Sequence, residues 1–154
     1  MPKQTSVTVQ VSRRFNASPE RVFEAWLDPH KARQFLFTRP GQVVVRAEID
    51  ARVGGSFLFV ARRDGKDIDH IGTYLEIDRP RRLVFTLRVP AAWEDDNRVT
   101  VEIVPLELGC ELTVTHEGVL PEHAERIESG WSIFLGGQAV SMTCLLYTSD
   151  AADE

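Results

Sequence analysis

The sequence predicts an α+β domain in which a curved antiparallel sheet of about seven strands wraps around a long C-terminal helix, with two short helices after the first strand. Three observations predict it. Short segments that alternate apolar and polar residues recur along most of the chain, each bounded by Gly, Pro or Asp turn signals. Two serine- or aspartate-proline pairs, Ser18-Pro19 and Asp28-Pro29, follow the first such segment. After Pro121 the apolar spacing changes to that of a helix and stays so.

Val7, Val9 and Val11 alternate with Thr8, Gln10 and Ser12, so the first strand runs to about Phe15 with one buried face. Ser18 then offers an N-cap hydroxyl, Pro19 suits the first helical position, and Val22, Phe23, Trp26 and Leu27 recur at helical spacing. Asp28-Pro29 repeats the signal for a second short helix through Lys31 and Ala32, which carries Phe35 toward the sheet. Strands follow over 42–49 and 56–62, separated by Gly54-Gly55 and ended by Asp64-Gly65, a hairpin pair. The next strand is expected over 70–77, a turn at Arg79-Pro80, and a strand marked by Leu83, Phe85, Leu87 and Val89. Residues 90–97, with Trp93 among them, read as a loop before two last strands carrying Val99, Val101 and Ile103, then Leu112, Val114 and His116. Ile127, Trp131, Phe134 and Leu135 form one stripe of the final helix, with Glu122 and Glu125 near its positive end. Gly136-Gly137 inside it implies a kink or a neighbour in close approach.

The bulk numbers exclude several classes. A chain of 154 residues, 43% hydrophobic, suits one domain with one core. No run approaches the length a membrane span needs, and the start is short and polar, so the expected location is the cytoplasm. Two cysteines, Cys110 and Cys144, make neither a metal site nor a disulfide framework. A net charge of -5 without a basic stripe argues against nucleic acid. Arg79, Arg81 and Arg82 cluster around Pro80 in an exposed turn.

From Cys144 the chain reads Cys-Leu-Leu-Tyr-Thr-Ser-Asp-Ala-Ala-Asp-Glu, which resembles the translation of a transposase mosaic-end adapter. Residues 1–143 are therefore read as the domain and 144–154 as a non-native tail, with the last helix cut short. Asp150, Asp153 and Glu154 belong to that tail, and without them the net charge is -2.

Several phrases carry a family resemblance: Phe15-Asn-Ala-Ser-Pro-Glu-Arg-Val-Phe-Glu-Ala-Trp, Asp28-Pro29, Asp50-Ala-Arg-Val-Gly-Gly-Ser-Phe, Gly72-Thr-Tyr-Leu-Glu-Ile, Pro80-Arg-Arg-Leu-Val-Phe-Thr, Thr115-His-Glu-Gly and Gly130-Trp. With the element order, they resemble the START-like superfamily, also called SRPBCC or birch-pollen-allergen-like. Within it the wording is similar to homologues of the C-terminal domain of the heat-shock protein 90 ATPase activator. The resemblance implies the helix-grip fold and a cavity between sheet and helix. It implies no particular reaction, because folds are reused.

The inward faces put Phe57, Phe59, Phe85, Leu87, Val101, Val114, Trp131 and Phe134 between sheet and helix, with Trp26 and Phe35 arriving from the short helices. These ten positions either line an apolar ligand cavity or simply fill the core. His116 shares the parity of Leu112 and Val114 and should face inward; it orients a ligand, acts as acid or base, or is a core histidine bonded to backbone. Tyr74 and Arg13 are further groups that reach toward the cavity, unless the hydroxyl stays at the rim and the guanidinium extends to water. His70 with Asp67 and Asp69 has no metal-site spacing and reads as a solvated hairpin, so no metal is expected. No cofactor is expected either, since glycine-rich phosphate loops, dinucleotide fingerprints and the serine nucleophile elbow are absent.

Three functional readings follow. The first is a module that binds a small hydrophobic molecule, with His116, Tyr74 or Arg13 fixing its polar end. The second, implied by the family resemblance, is a co-chaperone-like protein that stimulates a heat-shock protein 90 type ATPase. The third is a cyclase or dehydratase acting on a polyketide-like substrate, for which His116 is the catalytic candidate.

Overall fold

The computed structural model describes residues 5–153 apart from residue 94, with side chains described up to Met142. Strand β1 (Val7–Phe15) leads into helices α1 (Pro19–Ala25) and α2 (Pro29–Ala32). Then come β2 (Val43–Ile49), β3 (Ser56–Arg63), β4 (Lys66–Asp78), β5 (Arg82–Leu87), β6 (Asn97–Pro105) and β7 (Cys110–Val119). A single 3-10 turn, Pro121–His123, precedes helix α3 (Ala124–Asp153). The side chains of the segment 144–154, read above as an adapter-derived tail, lie outside the described residues.

The caps form for the reasons the sequence suggests. Ser18 Oγ accepts the amide of Arg21 at 3.3 Å, and Asp28 Oδ1 accepts that of His30 at 2.9 Å, so each proline-led helix starts with an orphan donor satisfied. Asp64 and Gly65 both take positive φ, 52° and 76°, the backbone a two-residue hairpin needs.

All seven strands form one antiparallel sheet in the order β1-β7-β6-β5-β4-β3-β2. Strands β2 to β7 thus run as a meander, and β1 closes beside β7, the last of them. The curved sheet grips α3, giving the α+β helix-grip architecture.

Strand β4 is longer than the sequence suggested. The tight turn lets pairing begin at once, with Arg63 opposite Lys66, four residues ahead of the expected start at His70. On this strand His70, Gly72 and Tyr74 are all buried, and so share the inner face. Gly72 is required there, because a Cβ would overlap the carbonyl of Thr86 and the ring of Phe57.

Helix α3 runs without a break through Gly136-Gly137. Of the two options the sequence left, close approach is the one seen: a Cβ at Gly137 would stand 3.4 Å from Cβ of Phe35, while the same position at Gly136 meets nothing. The helix is also tied down by polar contacts. Trp26 Nε1 donates to Gln138 Oε1 at 3.0 Å, and Gln138 Nε2 donates to the carbonyl of Val22 at 3.1 Å. Gln138 is fully buried, so these bonds join α3 to α1 where water cannot compete.

Candidate functional site

The space between sheet and helix divides into two halves of different character. In the first, Phe57 and Phe59 from β3, Tyr74 from β4 and Phe85 from β5 meet one another, with Trp26 beside them. Phe57 and Phe85 pack edge to face at 5.4 Å and 88°, and Phe57 and Phe59 at 6.0 Å and 73°. What is left open is about 10 Å³. A void of that size holds about one water and no ligand. Val101 and Val114, paired across β6 and β7, are buried in the same core. Phe35 lies on the other side of Trp26, at 5.6 Å, and walls an outer groove against α3. The Tyr74 hydroxyl has its pKa raised by burial and by Asp50, so it stays protonated. Arg13 points out from β1 and is exposed.

The second half is open. A cavity of about 120 Å³ lies under the first turns of α3, where Ile127, Gly130, Trp131 and Phe134 face Leu87, Val89, Ala92 and Trp93 from β5 and the loop after it. Of the twelve side chains singled out from the sequence, Leu87, His116, Trp131 and Phe134 line this cavity. Trp26, Phe57, Phe59, Tyr74 and Phe85 line the 10 Å³ void instead. Phe37 borders both spaces and stands between them. It stacks on His70 at 4.6 Å and meets Phe134 at 5.8 Å and Trp131 at 6.2 Å. Its backbone has φ of 60°, an uncommon value for a bulky residue, held in place by these ring contacts.

His116 faces inward and is 1% exposed. Trp131 Nε1, which can only donate, reaches its Nδ1 at 3.0 Å; the imidazole proton is therefore on Nε2, which donates to Asn97 Oδ1 at 2.9 Å. Asn97 Nδ2 passes the chain on to the carbonyl of Gly118 at 3.2 Å. These partners are side chains from β6 and α3, not the backbone. Burial lowers the His116 pKa to about 4, so the ring is neutral near pH 7. With both nitrogens engaged, it holds α3 against the sheet and has no free lone pair to offer a substrate.

His70 is not in a solvated hairpin. It is 4% exposed, because the early start of β4 turns it onto the inner face. Burial and the Arg63 charge lower its pKa to about 4. Among the described residues no group of three His, Cys, Asp or Glu side chains converges on a metal site.

The remaining lining is cationic. Arg63 at the end of β3, Arg39 in the segment before β2 and Arg126 on α3 all border the cavity. Arg63 Nη2 donates to the carbonyl of Phe37 at 3.2 Å, while its Nε is buried without a partner.

Comparison with known proteins places this arrangement. The family described as activator of Hsp90 ATPase homolog 1-like protein matches residues 16–138. The chain belongs to this family. Solved structures share the fold: protein CV1439 from Chromobacterium violaceum is 31% identical, with 86% of this chain and 94% of that one aligned and a TM-score of 0.80. The protein SA2116 from Staphylococcus aureus, described as of unknown function, is 19% identical over 93% and 97% of the two chains, at a TM-score of 0.82. A third, from Aeromonas hydrophila, carries the same family description at 19% identity, 90% and 94% coverage and a TM-score of 0.78. No curated protein sequence matches the chain.

In this activator-like chain, some site residues were within reach of sequence reasoning and were passed over. Arg63 has the parity of Phe57, Phe59 and Ala61, and Asn97 that of Val99 and Val101, so both should have been read as inward-facing. Phe37 and Arg39 come from irregular backbone, where no period exists to place them. No helix of the described residues is long and apolar enough to cross a membrane.

Proposed function

We propose that this chain binds a small, largely apolar organic molecule in the cavity beneath the first turns of α3. One observation carries the reading: a core closed to about 10 Å³ on one side of Phe37 leaves about 120 Å³ open on the other, walled by Leu87, Trp93, Trp131 and Phe134. Native packing rarely leaves such a volume empty next to polar groups. The size sets the ligand. An apolar cavity of about 150 Å³ accepts a single benzene ring, and drug-sized pockets start near 300 Å³. The occupant is thus one ring, a short branched chain, or the end of something longer.

Binding accounts for the site better than catalysis does. An acid-base role needs a titratable group with a free nitrogen or oxygen, and His116, the catalytic candidate of the cyclase or dehydratase reading, has both nitrogens engaged; His70, which also lines the cavity, has Nδ1 against the Phe59 carbonyl at 3.4 Å. Burying about 150 Å² of one ring supplies at most about 4 kcal/mol, a roughly millimolar affinity on its own. Polar groups at the cavity have to supply the rest.

The test is native mass spectrometry of the protein purified from its host, followed by denaturing release, with a thermal-shift panel of ring-sized and short-chain compounds. A stoichiometric organic passenger, or a rise in melting temperature that Trp93→Ala reduces, supports the reading. An empty protein that no compound stabilises would sink it, and would turn attention to a chaperone partner of the kind the family description names.

A further inference from the structure

Resting on that reading, we propose that the molecule held in this cavity is a carboxylate, whose head lies against Arg63 and Arg39 while its apolar body rests on Trp93 and Phe134. The charge arrangement points to it. The protein is acidic overall, with 23 acidic against 18 basic side chains. Most of its outer arginines are matched, among them Arg62 with Asp67, Arg82 with Glu76 and Glu102, Arg79 with Glu24, and Arg98 with Glu117. Around the cavity none is. Arg39, Arg63 and Arg126 all line it, no Asp or Glu does, and among the described residues none of the three has a carboxylate partner.

Arg63 carries the sharpest mismatch. Its Nε is buried with no acceptor, although a buried donor is nearly always paired. Burial and the nearby Arg39 charge hold its pKa below the usual arginine value, a cost that a counter-charge in the cavity would remove. Arg39 arrives from the other side, its Nη2 within van der Waals reach of α3, 3.6 Å from where a Cβ on Gly130 would be. Neither histidine competes for the anion, since both are neutral near pH 7. A carboxylate fits better than a phosphate ester: the guanidinium fork matches its two oxygens, and about 120 Å³ leaves room for a ring only if the head is small.

The experiment is a pair of titrations of the full chain with phenylacetate and its neutral counterpart phenylacetamide, followed through the indole N–H signals of Trp93 and Trp131. Phenylacetate should bind at least tenfold more tightly than the amide, with the preference shrinking as salt rises. Arg63→Gln should bring the two ligands within about twofold while leaving the amide's affinity in place; Arg39→Gln makes the same test if the first variant does not fold. Arg62→Gln, on the outer face, should change neither. Equal binding of both ligands, or a preference that survives both cavity variants, overturns the carboxylate assignment but leaves the apolar site standing. No perturbation of either indole by either ligand overturns both.

Discussion

The two sides of Phe37 both draw on β3, β4 and β5, yet one is solid and the other hollow. On the solid side the side chains that line the void are aromatic or aliphatic, and rings meet edge to face or tilted at 5.4 to 6.0 Å until about 10 Å³ remains. On the hollow side β3 ends in Arg63 where the parity would place another apolar residue, β4 contributes buried His70, and Arg39 and Arg126 close the perimeter. Apolar groups collapse onto one another because contact removes area from water. Three like charges cannot do so, since bringing them together raises both repulsion and desolvation. The cavity thus persists because its perimeter resists collapse, not because residues are missing.

Breaking the solid side should give the largest effect. Phe85→Ala is expected to cost about 3–5 kcal/mol, seen as a lower urea midpoint at an unchanged slope. A loss below about 1 kcal/mol would mean that the ring is far less tightly packed than its contacts show.

Next comes acid. His70 and His116 are pushed down to about 4 in the folded chain, against an ordinary value of 6.5. Above pH 6.5 both are neutral folded or unfolded, and their stabilisation is complete. Between pH 6.5 and 4 the unfolded chain takes up protons that the folded chain refuses, so stability falls with pH, by on the order of 3 kcal/mol per imidazole at the lower end. Urea unfolding between pH 7.5 and 5 samples the imidazoles before most carboxylates titrate. His116→Gln should remove about half of that slope, and a slope unchanged by the substitution would contradict the burial of its imidazole.

The smallest change in stability is expected on the hollow side. Trp93 is half-buried in the loop after β5 and donates to the carbonyl of Leu87 at 3.3 Å. Trp93→Ala should cost about 1–2 kcal/mol while weakening ligand binding far more than Phe85→Ala does, once both variants are compared as folded protein. Equal effects on affinity would erase the distinction between the two sides.

The sequence made the solid side legible and the hollow side only partly so. Alternation places Phe57, Phe59 and Phe85 because strand parity does not depend on what the neighbours are, and the two proline-led caps fall at Ser18 and Asp28 because capping is a local interaction. A cavity has no period. Whether Leu87 and Trp131 touch each other or a vacant volume depends on how far the surrounding groups can close in, which is decided by Arg39 and Phe37 from irregular backbone. His70 was misplaced by a strand boundary alone, and Arg63 fell one residue past the expected end of its strand.

Phe37 sets the size of the open space. Glycine at that position would relax the left-handed backbone and at the same time remove the partition, joining the small void to the larger cavity. Local backbone comfort and cavity size are therefore coupled at one residue, and the aromatic ring keeps the cavity small at the expense of an awkward main chain. A lineage of such proteins that came to accept longer ligands would find the shortest route there, by a change that removes a wall without moving a strand.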